Sequence, residues 1–200
     1  MKKKIESIAL FCGSSEGKGE RYVRLAEEFG KQCAQRKVLL YYGGAKLGLM
    51  NAAATAAMKA GGKVIGIVPD FFSKEAVIAE DITELVYVKS MSERKQMLEK
   101  KADAFVVFPG SFGTMDEFFE LITDAQLGFH NKPIVIFNPY GYYDSLLKQL
   151  VLFKEEGFLR PFHFQLIVCA TTVEDVFHQI ESYEYSNDAQ WVQEHTVHER

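Results

Sequence analysis

The sequence predicts an α/β fold in three layers, with a parallel β-sheet between two layers of helices. Short apolar runs rich in β-branched and aromatic residues alternate with segments of helical period, and the connections between them are short. Several strand-to-helix connections contain glycines, as ligand-binding loops at the carboxyl ends of parallel strands do. We predict one domain over residues 1–183, followed by a polar C-terminal extension at 184–200.

The first half of the chain is predicted to form four strands and three helices. The first helix has an apolar stripe that includes Phe29 and Cys33, and the alanine-rich second helix ends at Gly61, a typical C-cap residue. Ser92 can cap the third helix. The strands are predicted at Ile5–Cys12, Val38–Tyr42, Lys63–Val68 and Glu84–Val88, and the helices at Gly19–Arg36, Asn51–Ala60 and Ser92–Lys101.

The second half continues the alternation of strands and helices. Gly157 ends a long amphipathic helix, and Thr172 or Thr171 caps the last one. The strands are predicted at Ala104–Phe108, Pro133–Asn138 and Leu166–Ala170, and the helices from Thr114 and at Tyr142–Glu156 and Thr172–Tyr183.

The stretch after the strand Ala104–Phe108 contains the strongest functional signal. Pro109–Gly113 breaks regular structure, and Thr114 is predicted to cap the next helix by accepting from the Asp116 or Glu117 N–H. A strand, a glycine loop and a helix N-terminus form a site for an anion, although an ordinary tight turn has the same pattern. Phosphate alone gains nothing from the nearby carboxylates of Asp116 and Glu117. The two acids therefore suggest a ligand that also carries a group they can bind, such as a sugar with hydroxyls.

Composition excludes several classes of function. The 200 residues carry a net charge of −4, which gives no electrostatic case for nucleic acid. No apolar run approaches the roughly 20 residues that a membrane helix needs, and no signal-peptide pattern precedes the first strand. The widely spaced Cys12, Cys33 and Cys169 are expected to be buried thiols in a reducing cytosol, so we predict a cytoplasmic protein. The histidines have no metal-ligand spacing, and His130 is expected to interact with a helix dipole.

Three motifs resemble those of the LOG family, the cytokinin riboside 5′-monophosphate phosphoribohydrolases often labelled possible lysine decarboxylases. PGSFGTMDE, at 109–117, resembles the family's PGGxGTxxE, and SMSERK, at 90–95, resembles its M-x-x-R-K stretch. YGGAKLGLM, at 42–50, is similar to YGGGxxGLM with Ala45 at the third glycine. The resemblance continues through Gly141-Tyr142-Tyr143 and covers most of Ile5–Tyr183.

This resemblance implies a Rossmann-like fold and hydrolysis of a purine nucleoside 5′-monophosphate to free base and ribose 5-phosphate. It assigns the catalytic roles to Arg94 and Glu117. It also implies a homodimer, and it calls for no metal or organic cofactor. The substrate-binding residues that it implies are Gly13, Ser14, Gly43, Gly44, Glu75, Lys95, Gly110, Ser111, Phe112, Gly113, Thr114 and Asp116.

The sequence departs from the family pattern at two positions. Ser111 replaces the second motif glycine, which would cost on the order of 1 kcal/mol if the position needs a positive φ. Ser92 replaces a histidine that often precedes the family arginine.

The alternative function is a nucleotide-binding or carrier protein without turnover, similar to molybdenum-cofactor carriers. A pyridoxal-phosphate decarboxylase is rejected because such enzymes need a Schiff-base lysine in a larger fold. The preferred base, adenine or N6-prenyladenine, stays open.

Overall fold

The centre of the molecule is a seven-stranded parallel sheet with the order β4-β3-β2-β1-β5-β6-β7. The computed structural model of the chain describes residues 5–72 and 78–185. Every strand pairing between neighbours is parallel, which confirms the predicted sheet. The strands are β1 Ser7–Phe11, β2 Leu39–Tyr42, β3 Val64–Pro69, β4 Glu84–Val88, β5 Ala104–Val107, β6 Ile134–Phe137 and β7 Ile167–Ala170.

Helices cover both faces of this sheet, as the sequence predicts. One apolar core packs helices α1, α2 and α7 against the sheet through residues such as Phe29 and Phe177. The second core packs α3, α4 and α5 against the other face through Leu98, Phe118 and Leu150. The helices are α1 Arg21–Gln35, α2 Gly48–Lys59, α3 Met91–Lys101, α4 Phe112–Leu127, α5 Asp144–Glu155, α6 Pro161–Phe164 and α7 Val173–Ser182, with 3₁₀ turns at Asp70–Phe72 and Pro139–Gly141.

The strand order reverses direction between β1 and β5, and this reversal positions the site. The chain starts at β1, builds outward to β4 and returns to place β5 on the other side of β1. Ile8 pairs with Ala104 and Phe11 with Val107, so both strands end at the same level. The loops that follow diverge to helices on opposite faces of the sheet and leave a crevice between them, where ligands bind in open α/β sheets.

Several helix boundaries differ from the predicted ones. Helix α3 is capped by Ser90, whose side chain accepts from the Glu93 N–H at 3.1 Å, so the prediction of Ser92 as the cap is wrong. A serine at position 90 or 92 fits the local pattern of an N-cap. The start at Ser90 is favoured because the Glu93 carboxylate also accepts from the Lys89 N–H at 2.7 Å. The cap at Thr172 is confirmed, because its side chain accepts from the Asp175 N–H.

The cysteines confirm one part of their prediction and contradict another. All three are free thiols, and Cys12 and Cys33 are buried. Cys169 is exposed, because it lies on β7 at the edge of the sheet rather than in its centre.

Among the described residues, no helix is both long and apolar enough to cross a membrane. The extension predicted at 184–200 falls mostly outside the described residues, so the domain boundary stays a prediction.

A close approach of α1 to α2 gives a test of this packing. A Cβ at Gly30 would collide with the Ala53 carbonyl oxygen and lie 3.0 Å from the Ala57 nitrogen. Alanine has the better helix propensity by about 1 kcal/mol, but overpacking costs about 1–3 kcal/mol. We therefore expect Gly30→Ala to lower the free energy of unfolding in urea titrations. Lys31→Ala, on the exposed face of α1, is the control, and a Gly30→Ala protein as stable as that control would contradict the close packing.

Candidate active site

Three loops and helix ends meet in the crevice between β1 and β5. The Gly13 N–H donates to the Pro109 carbonyl at 3.0 Å, and the Leu49 N–H donates to the Gly13 carbonyl at 3.2 Å. Gly48 has a φ of +51°, and a Cβ there would collide with the backbone of Ser14. The β1–α1 loop is therefore held between the β5–α4 loop and the N-terminus of α2.

The N-terminus of α4 begins earlier than predicted. Ser111 is its N-cap residue, and the first helical hydrogen bond joins the Met115 N–H to the Ser111 carbonyl at 2.9 Å. The prediction of Thr114 as the cap is wrong, because this buried residue lies in the first turn and its hydroxyl lies against Gly110. A Cβ at Gly110 would collide with that hydroxyl, which is why glycine precedes the helix. The N–H groups of the first turn have no carbonyl within the helix and can bind an anion.

Ser111 does not strain the loop. Its φ is −122°, which is accessible to any residue, so the cost considered for a positive φ does not arise. Its side chain makes no capping hydrogen bond. Serine at this position therefore needs no positive φ, and relative to the family glycine it adds a hydroxymethyl group where Ser111 lines the crevice.

Arg94 and Glu117 form a buried ion pair between α3 and α4. Arg94 Nη2 lies 3.0 Å from Glu117 Oε1, and the two side chains are only 14% and 9% exposed. A Cβ at Gly43 would collide with Arg94 Nη2, so the glycine at the end of β2 makes room for the guanidinium group. Arg94 Nη1 is 3.7 Å from Met91 Sδ, and Arg94 Nε is buried without a hydrogen-bond partner among the described residues. The pair thus keeps donor capacity that a ligand can use.

Burial sets the ionisation of the Glu117 carboxyl group. Burial raises the pKa of Glu117 to about 7, while the nearby Arg94 charge lowers it and Asp116 raises it. With this pKa, Glu117 exchanges its proton near neutral pH, a property that is frequent at catalytic sites. Burial also raises the pKa of the neighbouring Cys12 thiol, and the Glu117 charge acts in the same direction.

Lys95 and Asp116 form a second ion pair at the edge of the same site. Lys95 Nζ lies 3.0 Å from Asp116 Oδ2, and it also contacts the Glu120 carboxylate on α4. The hydrogen bond to Glu120 raises the pKa of Lys95, with the Asp116 hydrogen bond adding to it. Carboxylates of α4 thus compensate the Lys95 charge, and its substrate-binding role stays a prediction.

Two adjoining cavities occupy the crevice, and both are lined by Gly13, Ser14 and Ser111. The first has a volume of about 160 Å³ and also contacts Leu10, Phe11, Cys12, Met50, Met91, Arg94, Gly113, Thr114, Asp116 and Glu117. The second has a volume of about 210 Å³ and also contacts Ser15, Glu16, Gly17, Tyr22, Leu49, Pro109, Gly110 and Tyr142. A larger groove of about 830 Å³ lies between α1 and α2, but neither Arg94 nor Glu117 lines it. The smaller pair is therefore the candidate site.

Nine of the fourteen predicted site residues line the two cavities. Those that line the two cavities are Gly13, Ser14, Arg94, Gly110, Ser111, Gly113, Thr114, Asp116 and Glu117. Gly43 contacts Arg94, whereas a Cβ at Gly44, with a φ of +74°, would collide with Val68 on β3, so Gly44 serves the local packing. The Phe112 side chain is 92% exposed. Glu75 lies outside the described residues.

The prediction missed twelve residues that line the cavities, including Cys12, Met50, Met91 and Tyr142. Cys12, Met50 and Met91 line the first cavity and Tyr142 the second. Each belongs to or adjoins a stretch that resembles the family, which is the only signal that could have found it.

The expectation that His130 interacts with a helix dipole is wrong. Its buried ring accepts from the Lys132 N–H and donates to the Leu121 carbonyl, and burial lowers its pKa to about 4, so it is neutral and has no charge for a helix dipole.

Comparisons with known proteins identify the family. A profile of the family described as "Possible lysine decarboxylase" matches residues 50–180. A probable cytokinin riboside 5′-monophosphate phosphoribohydrolase of Oryza sativa is 43% identical over 176 residues, which are 88% of this chain and 78% of the relative. The chain belongs to the LOG family. A family member from Rhodococcoides fascians is 42% identical over 82% of this chain and 84% of its own length.

Solved structures of more distant proteins have the same fold. The molybdenum cofactor binding protein of Rippkaea orientalis has a TM-score of 0.67 and 20% identity, over 90% of this chain and 97% of that one. The molybdenum cofactor carrier protein of Chlamydomonas reinhardtii has a TM-score of 0.66 and 20% identity, over 88% and 96%. At this identity the likeness shows the Rossmann-like fold alone. Within the described residues of this LOG protein, no cluster of three or more His, Cys, Asp or Glu residues is arranged to hold a metal ion.

The raised pKa of Glu117 predicts a pH-dependent stability. Below pH 4.5, the usual value, both folded and unfolded states hold the proton, and between 4.5 and about 7 the unfolded state ionises first. The free energy of unfolding therefore falls as the pH rises from 4.5 to about 7, by about 3 kcal/mol in total. We expect Glu117→Gln to remove this slope, so that its free energy of unfolding rises relative to wild type from pH 4.5 to 8.

The control for this measurement is Glu27→Gln, which removes an exposed carboxylate from α1. Urea titrations at several pH values give the difference between each variant and wild type. A Glu117→Gln difference that stays constant over this range, as for a surface carboxylate, would contradict the buried, proton-exchanging Glu117.

Proposed function

We propose that this LOG-family protein hydrolyses the N-glycosidic bond of a purine nucleoside 5′-monophosphate, a cytokinin riboside monophosphate or AMP. The products are the free base and ribose 5-phosphate. The observation that carries the proposal is the buried Arg94–Glu117 pair, which lines the same cavity as the N-terminus of α4. The names of the relatives support the same reaction.

The first turn of α4 suits the phosphate end of this substrate. Its free N–H groups and the helix dipole favour a dianion, and the Thr114 hydroxyl lies beside them. Backbone donors recognise a phosphate without selecting the base. A substrate held here by its 5′-phosphate has its ribose within the crevice, since Ser111 borders both cavities.

Glu117 suits the sugar end. Breaking the glycosidic bond places positive charge on the ribose, and a nearby carboxylate stabilises that charge more in the transition state than in the neutral ground state. Glu117 lies one helical turn beyond Gly113, in the direction away from the phosphate donors. We assign it to this stabilisation and to orienting the attacking water or the ribose hydroxyls.

Arg94 favours the ionised form of Glu117 and orients its carboxylate. Its guanidinium group lowers the pKa of Glu117 against the effect of burial. In the reaction, water oxygen bonds to ribose C1′, the bond to the base breaks with its electrons moving to the base, and a water proton ends on the base or in solvent. The unused donors of Arg94 then suit contact with the leaving base or the substrate.

Loss of the carboxylate should abolish most of the activity. We expect Glu117→Gln to lower kcat with AMP by about 10²-fold or more, because a charge that acts mainly in the transition state is removed. Arg94→Ala should have an effect of similar size. Release of free base from AMP and from isopentenyladenosine monophosphate, followed by chromatography, measures both effects, and the ratio of products gives the preferred base.

Asp124→Asn is the matched control, because it removes a carboxylate from the same helix two turns beyond Glu117. Its base release should equal that of wild type. If wild type releases no base from either nucleotide but AMP still raises its melting temperature, a carrier without turnover replaces the hydrolase proposal.

We also propose that the protein is a cytoplasmic homodimer. Free cysteines fit a reducing compartment. Phe112 and Phe129, at the two ends of α4, are 92% and 72% exposed, and Phe119 between them is partly exposed. Apolar exposure on one helix favours association with a second copy.

Light scattering after size exclusion tests the dimer. We expect twice the chain mass of 22.7 kDa for the wild type. Phe119→Glu, which places a charge within the exposed aromatic face of α4, should shift the population towards monomer. Phe158→Glu changes an exposed phenylalanine outside α4, which is 87% exposed against 39% for Phe119, and is the control. A monomeric wild type at micromolar concentration would contradict the proposal.

A further inference from the structure

We propose that Tyr142 and Tyr143 are positioning residues that hold the β5–α4 loop in its phosphate-binding form. The inference rests on the proposed function, because it concerns how the same site receives the 5′-phosphate. Both tyrosines precede α5, and neither contacts Arg94 or Glu117 through a hydrogen bond that the structure describes. Their action would therefore be on the backbone of the loop.

Three consecutive carbonyl groups of this loop accept hydrogen bonds from outside it. The Tyr143 hydroxyl donates to the Phe108 carbonyl at 2.7 Å, and the Tyr142 hydroxyl donates to the Gly110 carbonyl at 2.7 Å. Between them, the Gly13 N–H donates to the Pro109 carbonyl at 3.0 Å. Every peptide plane from Phe108 to Ser111 is thereby fixed in orientation.

Fixing a carbonyl also fixes the N–H of the next residue, unless that residue is proline. The Tyr143 bond therefore orients the Phe108–Pro109 peptide, which has no N–H, whereas the bonds to Pro109 and Gly110 each orient a donor. In a planar trans peptide the two groups point in opposite directions, so the bond to the Gly110 carbonyl turns the Ser111 N–H away from Tyr142. The Pro109 carbonyl fixes the Gly110 N–H in the same way, but this N–H faces the Tyr143 hydroxyl, whose pKa burial raises and the N–H lowers, so the Ser111 N–H is the donor left for a ligand. N–H groups that are already fixed in the free protein bind the ligand more tightly, because binding then loses less conformational entropy.

The tyrosines are themselves held by the turn that follows β6. The Asn138 side chain accepts from the Tyr143 N–H at 2.6 Å and donates to the Asp144 carboxylate at 2.8 Å. Tyr140 has a φ of +57° and Gly141 of +69°, so the chain reverses tightly just before the two tyrosines. This turn presents both hydroxyl groups to the same loop.

The rings pack independently of their hydroxyl groups. Tyr142 stands edge-on to Tyr22 at 5.8 Å and to Tyr143 at 4.8 Å, between ring centroids. Burial raises the pKa of Tyr143, so its hydroxyl remains a donor at neutral pH. Phenylalanine at either position keeps the ring and removes only the hydrogen bond to the loop. The two substitutions therefore test the hydroxyl groups themselves.

The experiment measures binding of ribose 5-phosphate, inorganic phosphate and adenosine to Tyr142→Phe and Tyr143→Phe by calorimetry. We expect Tyr142→Phe to bind the two phosphate ligands about 5- to 10-fold more weakly, because it loses the hydrogen bond that orients the Ser111 N–H. Tyr143→Phe should have a smaller effect, because its bond orients a peptide without an N–H. Binding of adenosine, which has no phosphate, should be unchanged. With AMP, KM should rise by the same factor while kcat stays within about 2-fold.

Tyr140→Phe is the matched control, because Tyr140 lies in the same turn with its ring 63% exposed. Unchanged phosphate binding in Tyr142→Phe, or weakening equal to that of the control, overturns the proposal. So does an equal loss of affinity for adenosine, which would indicate a general change in the site. Tyr142→Phe, at a partly exposed side chain, decides the question if Tyr143→Phe does not fold. If wild type binds ribose 5-phosphate but releases no base, the proposed hydrolysis fails and the positioning role is still decided by these affinities.

Discussion

The buried pair of Arg94 and Glu117 is the interaction on which the rest of the site depends. A carboxylate that is 9% exposed is costly unless a charge of opposite sign lies beside it, and the 3.0 Å contact supplies that charge. The guanidinium in turn needs space, which exists because the end of β2 carries Gly43. Burial and pairing oppose one another at Glu117, and their balance leaves its pKa near 7.

The sheet topology explains why this pair meets an anion site. Helices α3 and α4 cover the same face of the sheet and flank β5 in sequence, so α3 delivers Arg94 and the glycine loop after β5 leads into α4. The reversal of strand order beside β1 opens the crevice at that point. Glu117 and the backbone donors at the start of α4 are thereby placed about one helical turn apart on the same helix.

The fold was predictable from local patterns, because strand runs, helical stripes and turn residues all agree with one alternating topology. The site was predictable only through the motif stretches around Arg94 and Glu117. What failed depends on three-dimensional contacts that residue spacing does not show, whether the partners are near or far in sequence. Spacing alone cannot place Ser111 rather than Thr114 at the start of α4, since the choice follows from the Thr114 hydroxyl packing on Gly110. The bond from Tyr142 to Gly110 spans 32 positions and has no local signal.

The central claim is that one nucleotide places its phosphate on the α4 N-terminus and its ribose beside Glu117. A crystal structure of the Glu117→Gln protein with AMP tests this most directly, because the variant should bind the nucleotide without cleaving it. The account predicts phosphate oxygens within hydrogen-bond distance of the N–H groups at Ser111–Thr114 and ribose C1′ in contact with residue 117. A phosphate bound elsewhere, or a ribose turned away from residue 117, would contradict it.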